Sequence, residues 1–315
     1  MAAYRPVAAE QAHPTTESRD TDVRTDGDTW DIVSSVGATA LGVATLRAME
    51  TTLPDAMIRD DYAHLFVHAA GDPQFIETAG DPEAAGSLPR IIGFRTRFFD
   101  EFFDAATASG IEQAVIVASG LDARAYRLDW AAGATVFEID QPKVLEFKQQ
   151  VLGEHGVTPK ATLRQVPVDL RDDWPAALID AGFDPARPTA WSAEGLLPYL
   201  PGAAQDSLFE RIHALSAPGS RVAVEYFTER PDTARFQAVA RSSQFDKSPF
   251  GHLDVAELFY VDDRTDPARW LADQGWSVGS DSVANLAERY DRPMPELPEE
   301  ARDLSEAPAY LTAQK

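Results

Sequence analysis

The spacing of apolar residues along this chain changes character near residue 111. Before that point apolar positions recur at helical intervals. Ile32, Val33, Val36, Leu41, Val43 and Leu46 place a helix over Trp30 to Glu50, and Pro54 to Gly71 reads as a second helical patch. A Gly- and Pro-rich connector runs through Pro89. Arg90–Ala108 is then strongly amphipathic, with Ile91, Phe94, Phe98 and Phe102 on one face. After residue 111 short apolar runs alternate with helix-length segments. Strands are expected near 114–118, 135–139, 162–168, 188–192 and 221–227. That alternation predicts a right-handed βαβ series and a parallel sheet. Ala268–Gly279 reads as helix, turn and strand. The expected organisation is a disordered polar tail over 1–29, a helical cap over 30–110 and an α/β domain over 111–315.

Within that domain the densest information lies in Ala114–Asp140. A buried strand ends in the small-residue turn Ser119-Gly120, and a second apolar run, Val136–Ile139, ends in Asp140. Open α/β sheets bind ligands outside the carboxyl ends of their strands. An acid roughly 20 residues beyond the first turn is placed to accept hydrogen bonds from ribose hydroxyls. A dinucleotide site wants three glycines to admit a pyrophosphate, whereas Ser119-Gly120-Leu121-Asp122-Ala123-Arg124 supplies one glycine and an acid. Asp122 repels a pyrophosphate and suits a cationic ligand. S-adenosylmethionine, with a ribose, an adenine, a sulfonium, an ammonium and no phosphate, fits that turn.

Charge narrows the partners. The chain of 315 residues carries 28 basic and 51 acidic side chains, a formal net charge of −23. Such a field disfavours nucleic acid and anionic membranes, and it serves equally well for solubility or a salty cytoplasm. With no cysteine there is no disulfide, thiolate metal site or cysteine nucleophile. No metal-ligand spacing stands out. No apolar run reaches the ~18 residues of a membrane span, and the N-terminus has no signal-peptide core, so a cytoplasmic location is expected.

The blocks GLDARAYRLDW, FEIDQPKVLEFK, VPVDLRDDW and AEGLLPYL, together with SVGATALGVATLRAME and RTRFFDEFF, occur in one order and register. In them the chain resembles the actinobacterial S-adenosylmethionine-dependent methyltransferases related to leucine carboxyl methyltransferases and polyketide carboxyl O-methyltransferases. The resemblance runs from about residue 30 to the C-terminus. It implies a Rossmann-like class I methyltransferase fold: a mostly parallel seven-stranded sheet, helices on both faces and an N-terminal helical cap. Ser119 departs from the family, where glycine or alanine is usual.

Asp140 is the foremost cofactor candidate, for the ribose; its ordinary reading is the cap of the helix that opens at Gln141-Pro142. The resemblance implies that Asp169 and the Leu170 backbone take adenine, although Asp169 also reads as a loop acid beside Arg171. Gly120 lets the methionine part pass over the turn, or serves as a plain turn residue. Asp122 lies by the ammonium, or caps the next helix or pairs with Arg124. Glu194 contacts the cofactor's amino-acid end or lines the acceptor pocket, since a charge among Trp191, Leu196, Leu197 and Tyr199 needs a partner. Related enzymes use an arginine from the cap helix on the cofactor carboxylate, which favours Arg95 over Arg97. Gln141 completes the cofactor-binding set.

A sulfonium is already an activated methyl donor, so catalysis reduces to in-line alignment. A carboxylate acceptor needs no base, because it is ionised at neutral pH. A hydroxyl acceptor needs one, and of six histidines His252 is the candidate, with an ordinary loop histidine as its other reading. The aromatics of Tyr226–Tyr260 read first as core and secondly as the lining of a pocket for a planar or polyketide-like acceptor. The expected function is therefore O-methylation of a small-molecule acceptor in secondary metabolism. The alternatives are an NAD(P)-dependent Rossmann oxidoreductase and a non-catalytic S-adenosylmethionine-binding protein.

Overall fold

The computed structural model describes residues 35–81, 83–228, 248–250, 258–260, 262–294 and 308–315. Among the described residues four helices precede the sheet: α1 (Ser35–Thr52), α2 (Ala63–Ala70), α3 (Pro73–Gly80) and α4 (Leu88–Ala108). The patch expected as helix over Pro54–Gly71 is helical only from Ala63. The reason is Asp60, whose carboxylate accepts the amides of Tyr62 and Ala63 and so starts α2. Asp60 also pairs with Arg47 of α1 at 2.9 Å, which holds the preceding residues in turns. In α4 the apolar stripe is Phe94, Phe98 and Phe102 as expected, with Ile92 buried in place of Ile91.

Alternation of strand and helix follows. The order is β1 (Gln113–Val117), α5 (Arg124–Arg127), β2 (Thr135–Asp140), α6 (Pro142–Glu154), β3 (Thr162–Pro167), α7 (Trp174–Asp180), β4 (Thr189–Ala193), α8 (Gly202–Ala214) and β5 (Arg221–Phe227). The last described elements are α9 (Pro267–Asp273), β6 (Ser277–Ser282), α10 (Val283–Arg289) and β7 (Pro308–Gln314). One seven-stranded sheet has the order β3-β2-β1-β4-β5-β7-β6, and β7 alone runs antiparallel, between β5 and β6. The chain thus has the Rossmann-like class I methyltransferase fold.

Strand β1 is central and buried at every position. Its side chains alternate between two cores, as a doubly covered strand must. Ala114 and Ile116 join Phe94, Phe99 and Phe103 of α4. Val115 and Val117 join Trp174, Trp191, Leu208 and Phe209 on the other face. The first core therefore bolts the α4 aromatics directly onto the strand whose end carries the Gly120 turn. Parallel order puts the carboxyl ends of β1, β2, β4 and β5 on one edge, with the strand order reversing between β1 and β4. A ligand crevice is expected at that reversal.

Candidate functional site

The turn after β1 is conformationally demanding. Ala118 has φ +53° and Gly120 has φ +47°, a region that L side chains enter at a cost. A Cβ on Gly120 would stand 3.5 Å from Cβ of Ala40 in α1, so the cap passes close over the turn. Arg47 of the same helix donates from Nη2 to the Leu121 carbonyl at 2.7 Å. The Ser119 amide donates to the Ile139 carbonyl at 3.0 Å, which extends the β1–β2 ladder past the end of the strand.

Asp140 closes the turn from the side. Its Oδ2 accepts the Gly120 amide at 2.6 Å and its Oδ1 accepts the Gln141 amide at 2.7 Å. Burial pushes the Asp140 carboxyl above its ordinary value, against the lowering effect of the two amides. The N-cap of α6 is Gln141, with no side-chain cap bond, so Asp140 serves the turn and its neighbour's amide instead of capping the helix as one reading expected, and each oxygen keeps acceptor capacity for a further donor. Gln141 turns its Nε2 to Asp169. Asp169 is bonded by the Arg171 amide at 2.8 Å and by the Arg171 guanidinium at 2.7 Å. Burial acts to raise its carboxyl, and the bonds from Arg171 and Gln141 outweigh that and hold it low. Leu170 is half-buried beside it.

On the other side of the turn lies a chain of alternating charges. Arg124, 3% exposed, reaches Asp100 of α4 at 2.7 Å, Asp122, and Glu194 at 2.7 Å. Its amide donates to Asp122 at 2.6 Å. Arg127 forms a second fork on Asp100, at 2.6 Å through Nη1. Arg95 donates to Glu194 at 2.9 Å and to Glu225 of β5 at 3.3 Å. Gly195, at φ +61°, presents its amide to the same Glu225 oxygen at 2.8 Å, and a Cβ there would stand 3.4 Å from the Arg95 guanidinium.

Desolvation works to raise all three acids. In Asp122 and Glu194 the flanking arginines win and hold the carboxyls low; in Glu225 burial prevails and the carboxyl is raised. Asp122 therefore pairs with Arg124, one of the alternatives expected for it, and Glu194 is partnered on both oxygens. Arg95 joins the glutamates of β5 and the segment after β4, while Arg97 turns to Glu101 at 2.9 Å and over the Tyr290 ring at 4.0 Å.

Sequence reasoning missed several members. Glu225, Arg127 and Asp100 were not singled out, Arg124 was expected only as a partner for Asp122, and Tyr310 of β7, whose buried hydroxyl has no hydrogen-bond partner, was not expected. One signal was available: a glutamate inside the apolar run of β2, Glu138, demands a buried cation. That cation is Lys148 of α6, at 2.8 Å, both side chains being 0% exposed. His252 lies outside the described residues, as do Phe236 and Phe245. Of the described aromatics of that segment, Tyr226 is core and Phe250 packs against a small core cluster, as expected, while those at the end of β5 are more open. Phe227, Tyr199 and Phe259 are half-buried and Tyr260 is exposed. Phe259 stands 5.3 Å from Tyr199 and 6.3 Å from Phe227, at the carboxyl end of β5.

These features meet at one place. A one-glycine turn, acids at the ends of β2 and β4 and a paired arginine–glutamate all lie on the carboxyl edge. The sequence profile described as leucine carboxyl methyltransferase matches residues 40–213, more than half the chain. The chain belongs to that family. A protein of Rhodococcus jostii (strain RHA1), provisionally named an S-adenosyl-L-methionine-dependent methyltransferase, is 63% identical over 93% of this chain and 100% of its own length. A Mycobacteroides abscessus protein with the same provisional designation is 54% identical over 92% of this chain and 96% of its own. A crystal structure from Thermobifida fusca YX, described provisionally as a methyltransferase, has a TM-score of 0.49 and 18% identity, over 86% of this chain and 94% of the other. The family member described here is an S-adenosylmethionine-dependent methyltransferase. Among the described residues no helix is long and apolar enough to cross a membrane, and no cluster of potential ligands suits a metal ion.

The site suits that cofactor chemically. Asp100, Asp122, Glu194 and Glu225 pair with Arg95, Arg124 and Arg127, four carboxylates to three guanidiniums, and Asp140 lies beside the turn with backbone amides as its partners, while Lys148 answers Glu138 beneath it. A sulfonium and an ammonium answer that excess, and a pyrophosphate would add to it.

Proposed function

We propose that this methyltransferase transfers a methyl group to an oxygen of a small-molecule acceptor, with carboxylates the preferred acceptor class. The observation that carries the reading is the excess of carboxylates over guanidiniums around a turn with a single glycine. It supports a cationic methyl donor lying across Gly120. The family's description as leucine carboxyl methyltransferases supports a carboxylate acceptor.

In this reading Asp140 accepts from the ribose hydroxyls while still holding the Gly120 amide. Asp169, oriented by Gln141 and Arg171, accepts from the adenine amine, and the Leu170 backbone provides the second bond. The Arg95–Glu194 pair is the complement of a zwitterion, so a bound amino-acid end exchanges one internal ion pair for two external ones. Its carboxylate goes to Arg95 and its ammonium to Glu194 and Asp122. When bound, the cofactor supplies a methyl group already activated for in-line displacement. The chain's residues orient donor and acceptor. The half-buried Phe227, Tyr199 and Phe259 support a planar acceptor at the end of β5.

The test is transfer of isotopically labelled methyl from S-adenosylmethionine to matched panels of aromatic and polyketide carboxylic acids, phenols and amines. Base-labile methyl esters are expected. Methyl ethers or N-methyl products alone would overturn the carboxylate preference. Tight cofactor binding without transfer to any panel would favour the non-catalytic reading.

A further inference from the structure

The Lys148–Glu138 pair lies under the cofactor turn, and its contacts go further than neutralising a buried acid. Lys148 rises from α6 with no exposed surface. Its ammonium donates to the Asp122 carbonyl at 3.1 Å and to the Ser119 hydroxyl at 3.3 Å, and pairs with the Glu138 carboxylate at 2.8 Å. The two turn contacts bracket Gly120 and Leu121, on either side of the positive-φ glycine. Ser119 supplies one of them.

We infer that Lys148 is a positioning residue: its ammonium clamps the turn at Ser119 and Asp122 and pre-forms the surface on which the cofactor lies. An ammonium has three donors and no acceptor; two go to the turn, and the Glu138 carboxylate, neither of whose oxygens has a hydrogen-bond partner, faces it as an ion pair. Glu138 supplies the countercharge to a lysine that has no exposed surface. Without the clamp the strained Ala118–Asp122 segment relaxes towards ordinary backbone conformations. Binding must then reorganise it, and the apparent affinity falls by the fraction of molecules in the competent conformation. This inference rests on the cofactor's lying across Gly120.

The test replaces the whole pair with apolar side chains of similar volume, in the double variant Lys148→Met/Glu138→Leu. Exchanging a buried ion pair for well-packed apolar residues commonly leaves stability unchanged, so the melting temperature reports the packing role. Calorimetric affinity for S-adenosylhomocysteine and hydrogen exchange at the 119–123 amides report the clamp. The expected result is a dissociation constant raised about tenfold or more and faster exchange at those amides, with the melting temperature near that of the parent. An unchanged dissociation constant would overturn the clamp and leave the pair a core element only. Should the double variant not fold, Ser119→Ala decides, since it removes one arm and leaves the ion pair intact. A rise of about twofold or more in the dissociation constant supports the clamp, and none overturns it. Gly120→Val, measured alongside, separates the two readings. If it leaves affinity intact, the cofactor does not lie on this turn. If it abolishes binding while the double variant binds normally, the placement stands and the clamp fails.

Discussion

Replacing Asp140 with alanine removes one carboxylate from two tasks that can be measured apart. In the free protein that carboxylate accepts the Gly120 and Gln141 amides at 2.6 and 2.7 Å. Each donor left unpaired in a partly buried site costs about 1–3 kcal/mol. Water reaches this half-buried position, so a total of about 2–3 kcal/mol is expected. For a chain of this size that lowers the melting temperature by roughly 3–5 °C. In the bound protein the ribose additionally loses a charged acceptor, worth about 1.5–3 kcal/mol. The dissociation constant for S-adenosylhomocysteine should therefore rise about 10- to 150-fold. Isothermal titration well below the variant's melting point, with differential scanning fluorimetry on the free protein, isolates the two effects. A lowered melting temperature with unchanged affinity would show that Asp140 only builds the turn, and the ribose assignment would be refuted.

Arg124→Met leaves Asp100, Asp122 and Glu194 without their shared cation, so about 3–5 kcal/mol of stability should be lost in urea unfolding; a loss under about 1 kcal/mol would show the network to be ornamental. Stability should also respond to pH in two opposed ways. Asp140, Glu138 and Glu225 have raised carboxyls, mainly through burial, so the stability they contribute is present at acid pH and lost as pH rises through their folded values. Asp122 and Glu194 are held low against desolvation, mainly by Arg124, so theirs is present at neutral pH and lost as pH falls through the folded values. The melting temperature should thus rise on mild acidification from neutral pH and fall again in stronger acid; a steady fall as pH is lowered from 7 to 5 would contradict the raised set. NAD and NADP should bind at least about 100-fold more weakly than S-adenosylmethionine, because a pyrophosphate would meet Asp122 and Asp140. Comparable titration affinities would reopen the oxidoreductase reading.

The parallel half of the sheet was legible because each of its strands is a short apolar run followed by turn residues. The five expected strands fall within one residue of β1 to β5 at nearly every boundary. Strand β7 was not readable from periodicity. PAYLTAQ mixes apolar and polar positions because its burial comes from neighbours on both sides, and only the family resemblance implied a seventh strand. Pro54–Gly71 misled because apolar spacing cannot anticipate a long-range Arg47–Asp60 pair that fixes where α2 begins. At the site, spacing located Asp140, Gly120 and Glu194 on the carboxyl edge, but it could not pair them. Arg124 stands two residues from Asp122 in sequence yet also joins residues 24 and 70 positions away, Asp100 and Glu194. Such partnerships exist only after the sheet has formed.

The interior antiparallel strand also has a consequence for how the chain is made. Strand β7 comes last in sequence of the seven and sits between β5 and β6, so both neighbours stay unpaired along one edge until residues 308–314 have left the ribosome. During that interval the Val222–Val224 run of β5 has a bare, apolar edge of the kind that invites pairing with other chains. The central strands β1, β2 and β4 can already pair by then. The last of the seven strands to be synthesised therefore works as a closing seam: slow arrival or truncation ahead of it exposes the nascent protein to aggregation before the cofactor site is ever tested.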